Sequence, residues 1–344
     1  MNARSILAAV MLATLTAISA QASDLTIVSR GGFYQEAQRE IYFKPFTEAT
    51  GIAIREQTWD GGIDVLRKSK DSATSGWDVV ELQGDELLIG CEEGLLEKLD
   101  WSQIGGKDHY VPQGVSDCGV GTALFAFVLS WDKDKFPAAP SWADFWDVAK
   151  YPGKRGLRLT PKTNLEFALL ADGVAPADVY RTLRTNDGVD RAFRKLDQLK
   201  PYIVWWQSGG DAPKLLGSGE VLMTSAPNGR ITVANRTENR NFGIQWTGSL
   251  FAVDSWGIMK GSPRLRQAYQ FLYFVGNSAI EARLLPLIPY AGLAKGANDG
   301  LPPELMAQLP SNSANFSGGL PVDDQFWRDN NDKLTQRFHS WLEH

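Results

Sequence analysis

Short apolar stretches rich in β-branched residues alternate with stretches of helical apolar spacing along the first hundred residues. The pattern predicts strands at 24–30, 52–57 and 77–82, each followed by a glycine-containing turn and a helical segment. Such alternation is typical of a mainly parallel sheet, whose ligand-binding groups gather where the carboxyl ends of strands meet the loops. That rule places the following turn residues at one rim: Arg30, Gly31, Gly32, Trp59, Gln83, Gly84 and Asp85.

A second α/β unit begins after the Phe-Pro-Ala-Ala-Pro stretch at 136–140. Ser141, with an acidic residue three positions on, predicts a helix start. The spacing then predicts strands at 156–159, 202–206 and 220–224, with helices at 164–171 and 188–199. From Phe251 the chain returns to the first unit, with helices at 265–275 and 279–285, and a further helix is predicted at 326–342. We therefore expect two α/β lobes, one formed by 23–130 and 254–298, the other by 131–253 and 299–344.

The first 22 residues have the pattern of a secretory signal peptide. Arg4 precedes an apolar stretch at 6–18, and Ala20-Gln21-Ala22 offers small residues for cleavage. A membrane anchor is the weaker alternative, because the apolar stretch falls short of the ~20 residues that span a bilayer. We expect cleavage and a periplasmic location.

Charge and cysteine content narrow the partners and the compartment. The formal net charge is −5 without a basic cluster, so we expect no nucleic-acid partner. Cys91 and Cys118 lie in the exported part, where an oxidising compartment allows a disulfide. Two buried thiols are the alternative, since geometry decides whether the sulfurs meet.

One carboxylate, Asp254, interrupts an otherwise apolar, strand-like stretch at 249–260. An unpaired buried charge is costly, so Asp254 must pair either with a residue of the protein or with a cationic group of a ligand. Several of the 12 tryptophans lie at turns beside glycine or acid, where flat aromatic faces suit cationic ligands. Ordinary packing is the alternative for most of them.

The sequence offers no catalytic constellation. His109, His339 and His344 are not in a metal-ligand spacing, and Gly-Val-Gly at 119–121 lacks the third glycine and following helix of a dinucleotide fingerprint. We therefore expect a protein that is not an enzyme and has no cofactor and no metal.

Several segments, in their order and spacing, resemble the periplasmic spermidine/putrescine-binding proteins of ABC importers. They are Phe-Thr-Glu-Ala-Thr-Gly-Ile at 46–52, Trp-Asp-Val-Val at 77–80, Glu-Gly-Leu-Leu-Glu-Lys-Leu-Asp at 93–100, Ser-Trp-Ala-Asp-Phe-Trp at 141–146, Tyr-Pro-Gly-Lys at 151–154, Ser-Gly-Glu-Val at 218–221, Asn-Gly at 228–229 and Asp-Ser-Trp-Gly-Ile at 254–258. The resemblance covers essentially the whole exported chain. It implies a two-lobed periplasmic binding protein of type II, a monomer whose cleft closes on a ligand for delivery to ABC permease subunits in the inner membrane.

The resemblance also assigns ligand contacts. Asp254 matches the acid that receives a ligand amine, and Tyr290 matches an aromatic that lines the cleft. Gln83 and Asp85 match first-lobe contacts whose chemistry has changed here, and we expect Trp59 to help exclude water. Gly32 stands where an aromatic usually follows the first strand, so Phe33 or Tyr34 takes that role.

Departures from the family restrict the ligand. Lys162 and Leu165 stand where polyamine receptors have further acids, and Arg230 adds a cation that can hold a carboxylate bidentately. If Arg230 and Asp254 do not pair with each other, the site suits an ω-amino acid such as 4-aminobutyrate. A diamine such as putrescine would instead use Asp254 and Asp85. A sensory module for the same ligands, or a secreted hydrolase, are the competing functions.

Overall fold

The computed structural model describes residues 24–70 and 76–344, so the expected signal peptide at 1–22 lies outside the described residues. The strands are β1 Leu25–Ser29, β2 Ile54–Thr58, β3 Val79–Gln83, β4 Gly119–Asp132, β5 Arg155–Arg158, β6 Ile203–Trp206, β7 Met223–Pro227, β8 Phe242–Ile258 and β9 Leu320–Pro321. The helices of the first half are α1 Gly32–Gln38, α2 Lys44–Thr50, α3 Ile63–Lys68, α4 Gly84–Glu92, α5 Trp142–Trp146 and α6 Asn164–Ala171. Those of the second half are α7 Val179–Leu183, α8 Asn186–Leu199, α9 Asp211–Ser218, α10 Asn228–Thr237, α11 Leu265–Val275, α12 Ser278–Glu281, α13 Pro303–Met306, α14 Ser313–Phe316 and α15 Asp324–Glu343.

Two long strands, β4 and β8, carry the chain between the two lobes. The strands lie in the order β2-β1-β3-β8-β4-β7-β5-β6, with β9 beside β8. Pairing is parallel in the outer part of each lobe, where β1 contacts β2 and β3, and β5 contacts β6 and β7. It is antiparallel where β4 and β8 pair with each other, where β8 pairs with β3 and where β4 pairs with β7, whereas the short β9 pairs with β8 in parallel. The expected mainly parallel sheet is therefore mixed at its centre.

The buried strands reflect their composition. Every side chain of β1 and β3 is buried, which suits their β-branched and leucine residues between two layers of helices. In β4 all but two of 14 residues are buried. The helix start predicted at Ser141 is confirmed, since its hydroxyl accepts from the Asp144 amide at 3.1 Å and the Asp144 carboxylate accepts from the Ser141 amide at 2.9 Å.

The structure differs from the predicted elements in some places. A π-helical turn at Arg39–Phe43 joins α1 to α2, so the helical segment continues through Pro45, whose missing N–H falls directly after the π-helical turn. The strand predicted at 220–224 lies at Met223–Pro227, and the helix predicted at 279–285 ends at Glu281. Helices α7, α9, α10, α13 and α14 were not predicted.

Cys91 in α4 and Cys118, immediately before β4, are joined by a disulfide with the sulfur atoms 1.96 Å apart. The bond ties the helix after β3 to the start of the crossing strand. Across the described ranges, no helix has the length and apolarity needed to span a membrane.

Candidate functional site

A cavity of about 50 Å³ lies between the lobes, where strand ends and loops from both meet. Its aromatic lining comes from Tyr34, Trp59, Phe125, Phe127, Trp206 and Tyr290, and its charged lining from Arg30, Asp60, Arg158, Arg230 and Asp254. Since a single water needs about 10–15 Å³ measured in this way, the space suits a few waters or one small solute. Aromatic walls around a few charged groups are the usual composition of a small-molecule site.

Asp254 presents an unsatisfied carboxylate oxygen to this cavity. Its residue is 5% exposed, and its Oδ1 atom has no hydrogen-bond partner among the described residues. Burial raises the pKa of Asp254 to about 8, with Arg30 opposing the rise and Glu81 adding to it. A ligand ammonium at this oxygen would supply the missing hydrogen bond and would favour the ionised carboxylate.

Arg30, at the carboxyl end of β1, is only partly neutralised. One guanidinium nitrogen donates to Glu86 at 2.6 Å, and the group lies 4.7 Å from the centre of the Trp59 ring. Its Nε and Nη1 atoms are buried and have no hydrogen-bond partner among the described residues. Burial opposes the charge, but Glu86 and Asp254 raise the pKa of Arg30 above its ordinary value, so the guanidinium stays charged.

Arg230, in the first turn of α10, is a second cation of the cavity. Its Nη2 donates to the main-chain oxygens of Gly31 at 3.0 Å and Arg30 at 3.4 Å, across the cleft. Its guanidinium lies 5.6 Å from the centre of the Tyr34 ring, and it forms no salt bridge with a carboxylate of the described part of the chain. The direct Arg230–Asp254 pair that the sequence left open is therefore absent from this arrangement.

Arg158, at the carboxyl end of β5, supplies a third guanidinium. It donates to the Asp60 carbonyl at 2.9 Å and contacts the Gln83 side chain at 3.5 Å. Burial and the neighbouring Arg30 lower its pKa. Like Arg230 it has no salt bridge to a described carboxylate, so positive charge is in excess at this side of the cavity.

Tyr290 forms one wall of the cavity, and neighbouring residues hold it there. Its ring packs at 5.4 Å against Tyr34 and at 5.5 Å against Phe125. A Cβ on Gly229 would stand 2.5 Å from the Tyr290 ring, so glycine is required for this approach. The Asn228 amide accepts from the Ala126 N–H and donates to the Pro289 carbonyl, each at 3.0 Å, which joins β4, α10 and the Tyr290 loop.

A buried acid behind the cavity fixes two other aromatic walls. Glu81 accepts from the Tyr34 hydroxyl and from Ser29, each at 2.7 Å, and its main-chain oxygen accepts from the Trp59 indole at 3.0 Å. Burial raises the pKa of Glu81 despite these donors. The aromatic rings are thus positioned by hydrogen bonds on the side away from the cavity.

Comparison with known proteins identifies the family to which this chain belongs. Residues 42–314 match the model of a family described as bacterial extracellular solute-binding protein. The chain belongs to this family. It is 42% identical over 331 residues to the gamma-aminobutyric acid-binding protein of Pseudomonas aeruginosa, covering 96% of this chain and 94% of that protein.

Solved structures of binding proteins share the two-lobed fold. The PBP MotA from A. tumefaciens B6, in complex with glucopine, has a TM-score of 0.86 at 29% identity, covering 93% of this chain and 99% of that one. The Atu4243-GABA receptor has a TM-score of 0.81 at 31% identity, covering 93% and 97%. The chain is therefore a two-lobed solute-binding protein.

The predicted contacts of this solute-binding protein fall into two groups. Asp254, Tyr290, Arg230, Trp59 and Gln83 all line the cavity. The others do not line it. Asp85 is buried in a pair with Lys162 and also accepts from Asn331 at 3.3 Å. Gly32, at φ +56°, lies so close to Arg230 that a Cβ would stand 3.1 Å from the guanidinium. The centre of the Phe33 ring lies 5.8 Å from the guanidinium carbon of Arg236.

Sequence reasoning did not name Arg158, Phe125, Phe127 and Trp206 as site residues, and it named Arg30 only as part of the rim. Arg158 ends a strand, so the rule that found Trp59 and Gln83 could have found it. Phe125 and Phe127 lie within β4, where nothing in the sequence distinguishes cavity-facing from core-facing aromatics. Over residues 24–70 and 76–344 no group of three or more His, Cys, Asp or Glu residues could hold a metal ion.

Proposed function

We propose that this protein is the periplasmic substrate-binding component of an ABC importer and that it captures an ω-amino acid such as 4-aminobutyrate. The observation that carries the proposal is that one small cavity contains both a carboxyl oxygen without a hydrogen-bond partner and a guanidinium without a carboxylate partner. Asp254 has an oxygen without a partner, and Arg230 has no carboxylate partner among the described residues. A small zwitterion satisfies both at once.

In this arrangement the ligand ammonium donates to Asp254, and the ligand carboxylate accepts from Arg230, whose planar guanidinium can bind both carboxylate oxygens. Trp59 and Tyr290 cover the methylene chain and exclude water, which strengthens both charge pairs. The name of the 42% identical Pseudomonas protein and that of the Atu4243-GABA receptor support this ligand class.

A polyamine fits the cavity less well. The acid that a diamine would need as a second anchor, Asp85, is already neutralised by Lys162, and its side chain lies outside the cavity. The guanidiniums of Arg30, Arg158 and Arg230 would repel a second ammonium at the far end of the ligand. The same charges favour a carboxylate there.

The proposed lobes are 23–130 with 254–298 and 131–253 with 299–344. Two of the crossing points fall inside β4 and β8, the strands shared by both halves of the sheet. The interlobe contacts of Arg230 with Gly31 and of Lys162 with Asp85 would form as the lobes close on the ligand. Such closure presents a liganded form to permease subunits, and the protein itself turns over nothing.

Calorimetric titration of the mature protein with 4-aminobutyrate, putrescine and spermidine tests the ligand class. We expect 4-aminobutyrate to bind best. Putrescine keeps the ammonium but leaves Arg230 without a carboxylate, a loss worth roughly 2–5 kcal/mol, or about 30-fold or more in affinity. A preference for either polyamine, or no binding by any of the three, would overturn the proposal.

A further inference from the structure

The small ligand cavity is bordered by a much larger groove. The groove measures about 350 Å³, against about 50 Å³ for the cavity. Four residues line both spaces: Asp60, Gln83, Arg158 and Gln207. The two spaces therefore meet along a shared wall and are not on opposite sides of a lobe.

Arg158 is the residue that connects this wall across the cleft. Its guanidinium reaches from β5 in the second lobe to the Asp60 carbonyl at 2.9 Å and the Gln83 side chain at 3.5 Å, both in the first lobe. The central carbon of its planar guanidinium also lies 5.8 Å from the centre of the Phe127 ring, which lines the cavity. A long side chain anchored at its far end thus stands between cavity and groove.

The groove has the composition of a place that ligand could enter. Beyond the shared wall its lining mixes polar residues, among them Thr160, Thr335, Asn331 and His339, with apolar ones such as Ile63, and the carboxylates of Asp85 and Glu86 are paired with Lys162 and Arg30. A hydrophilic extension of a ligand would meet hydrogen-bonding groups there.

We propose that Arg158 is a specificity-determining residue that limits the length of the ligand, acting as a charged partition between the cavity and the groove. This inference rests on the proposed function, because it concerns which ω-amino acids the site accepts. With Arg158 in place, the ligand carboxylate ends against the guanidiniums of the cavity. Without the side chain, the cavity opens into the groove and longer amino acids fit.

The test is a titration series with 4-aminobutyrate, 5-aminopentanoate and 6-aminohexanoate against wild type, Arg158→Ala and Arg158→Met. One methylene changes the binding free energy by roughly 1–3 kcal/mol in a tight pocket, so we expect the affinity of the wild type to fall about tenfold or more for each added methylene. Arg158→Ala removes the partition, and its discrimination between the shortest and longest ligand should fall at least about tenfold. Arg158→Met removes the charge but keeps an unbranched side chain longer than that of alanine, although it ends short of the guanidinium position, so it should weaken binding of all three ligands and retain more of the preference for the shortest than Arg158→Ala does.

Three outcomes would overturn the inference: wild type binding all three ligands equally, Arg158→Ala keeping the wild-type discrimination, or Arg158→Met relaxing it as far as Arg158→Ala does. In each of these, wild-type binding of 4-aminobutyrate leaves the proposed function standing. Wild type binding no amino acid removes both. Thermal unfolding checks that each variant is folded, and Arg158→Gln, shorter and uncharged, replaces Arg158→Ala if that variant does not fold.

Discussion

Asp254 lies directly opposite Gln83 in the antiparallel pair of β8 and β3. Gln83 is the last residue of β3 and the residue before helix α4, so the pair places the acid at the level where a first-lobe strand ends. Both side chains line the cavity. A carboxylate from the middle of a crossing strand therefore reaches the same rim as the loop residues.

Replacing Asp254 by Asn keeps the size of the side chain and removes its charge. Loss of the charge-assisted bond to a ligand ammonium should weaken 4-aminobutyrate binding by roughly 2–5 kcal/mol, about 30-fold or more. Calorimetry measures the change. Asp187→Asn, on the exposed first turn of α8, is the matched control and should bind like wild type. Unchanged affinity in Asp254→Asn would remove the acid from the site.

Binding should strengthen as pH rises towards 8. Burial raises the pKa of Asp254 to about 8, so the carboxyl group is protonated below that pH in the unliganded protein. An ammonium binds the carboxylate, so each binding event must release this proton, and affinity can rise by up to about tenfold per pH unit until the pKa is passed. The ligand amine stays protonated to about pH 10, as lysine does, so affinity should then level off.

The same proton can be counted directly. Titrations near pH 6 in buffers of different ionisation enthalpy should show release of a proton on binding, and Asp254→Asn should lose both the release and the pH slope. An affinity that is flat from pH 5 to 8 in wild type would contradict the assignment.

Arg230→Ala should separate the ligand classes. The substitution removes the guanidinium proposed to bind the ligand carboxylate, so the affinity for 4-aminobutyrate should fall about 30-fold or more. The affinity for putrescine, which has no carboxylate, should change little. Arg236→Ala is the control on the same helix, because Arg236 donates to the main-chain oxygens of Pro286 and Leu287 outside the cavity. Equal losses for both ligands would show that Arg230 acts only by joining the lobes.

Cys91 and Cys118 should titrate as a disulfide in the exported protein. Denatured, unreduced protein should contain no free thiol, and two free thiols would contradict the bond. Reduction should lower the thermal unfolding temperature, because a cross-link over a sequence separation of 27 contributes about 3.5 kcal/mol by restricting the unfolded chain. A Cys91→Ala, Cys118→Ala double variant, which has no thiols, should unfold at the same temperature with and without reductant.

Local sequence signals determined most of the elements and the two-lobed plan. Apolar periodicity found helix α6 and helix α11 with the bounds that the structure gives, because α6 is largely apolar and α11 has apolar residues at helical spacing. It missed α10, whose residues 228–237 mix polar and small side chains. Burial of one face decides that a segment of this composition is helical, and burial comes from the rest of the fold.

The site divides in the same way. The sequence by itself determined that Asp254 must meet a partner, since one acid in an apolar strand carries that requirement wherever the strand lies. Only the tertiary structure decided that Arg230 does not pair with Asp254, because Arg230 donates to the main chain of Gly31. It also decided that Asp85 does not serve as a second acid for a ligand, because Asp85 pairs with Lys162. Those distances depend on how two lobes, separated by many residues in the chain, close against each other. The sequence determines the sign of each charge, whereas packing across the cleft determines whether two opposite charges lie close enough to form a pair.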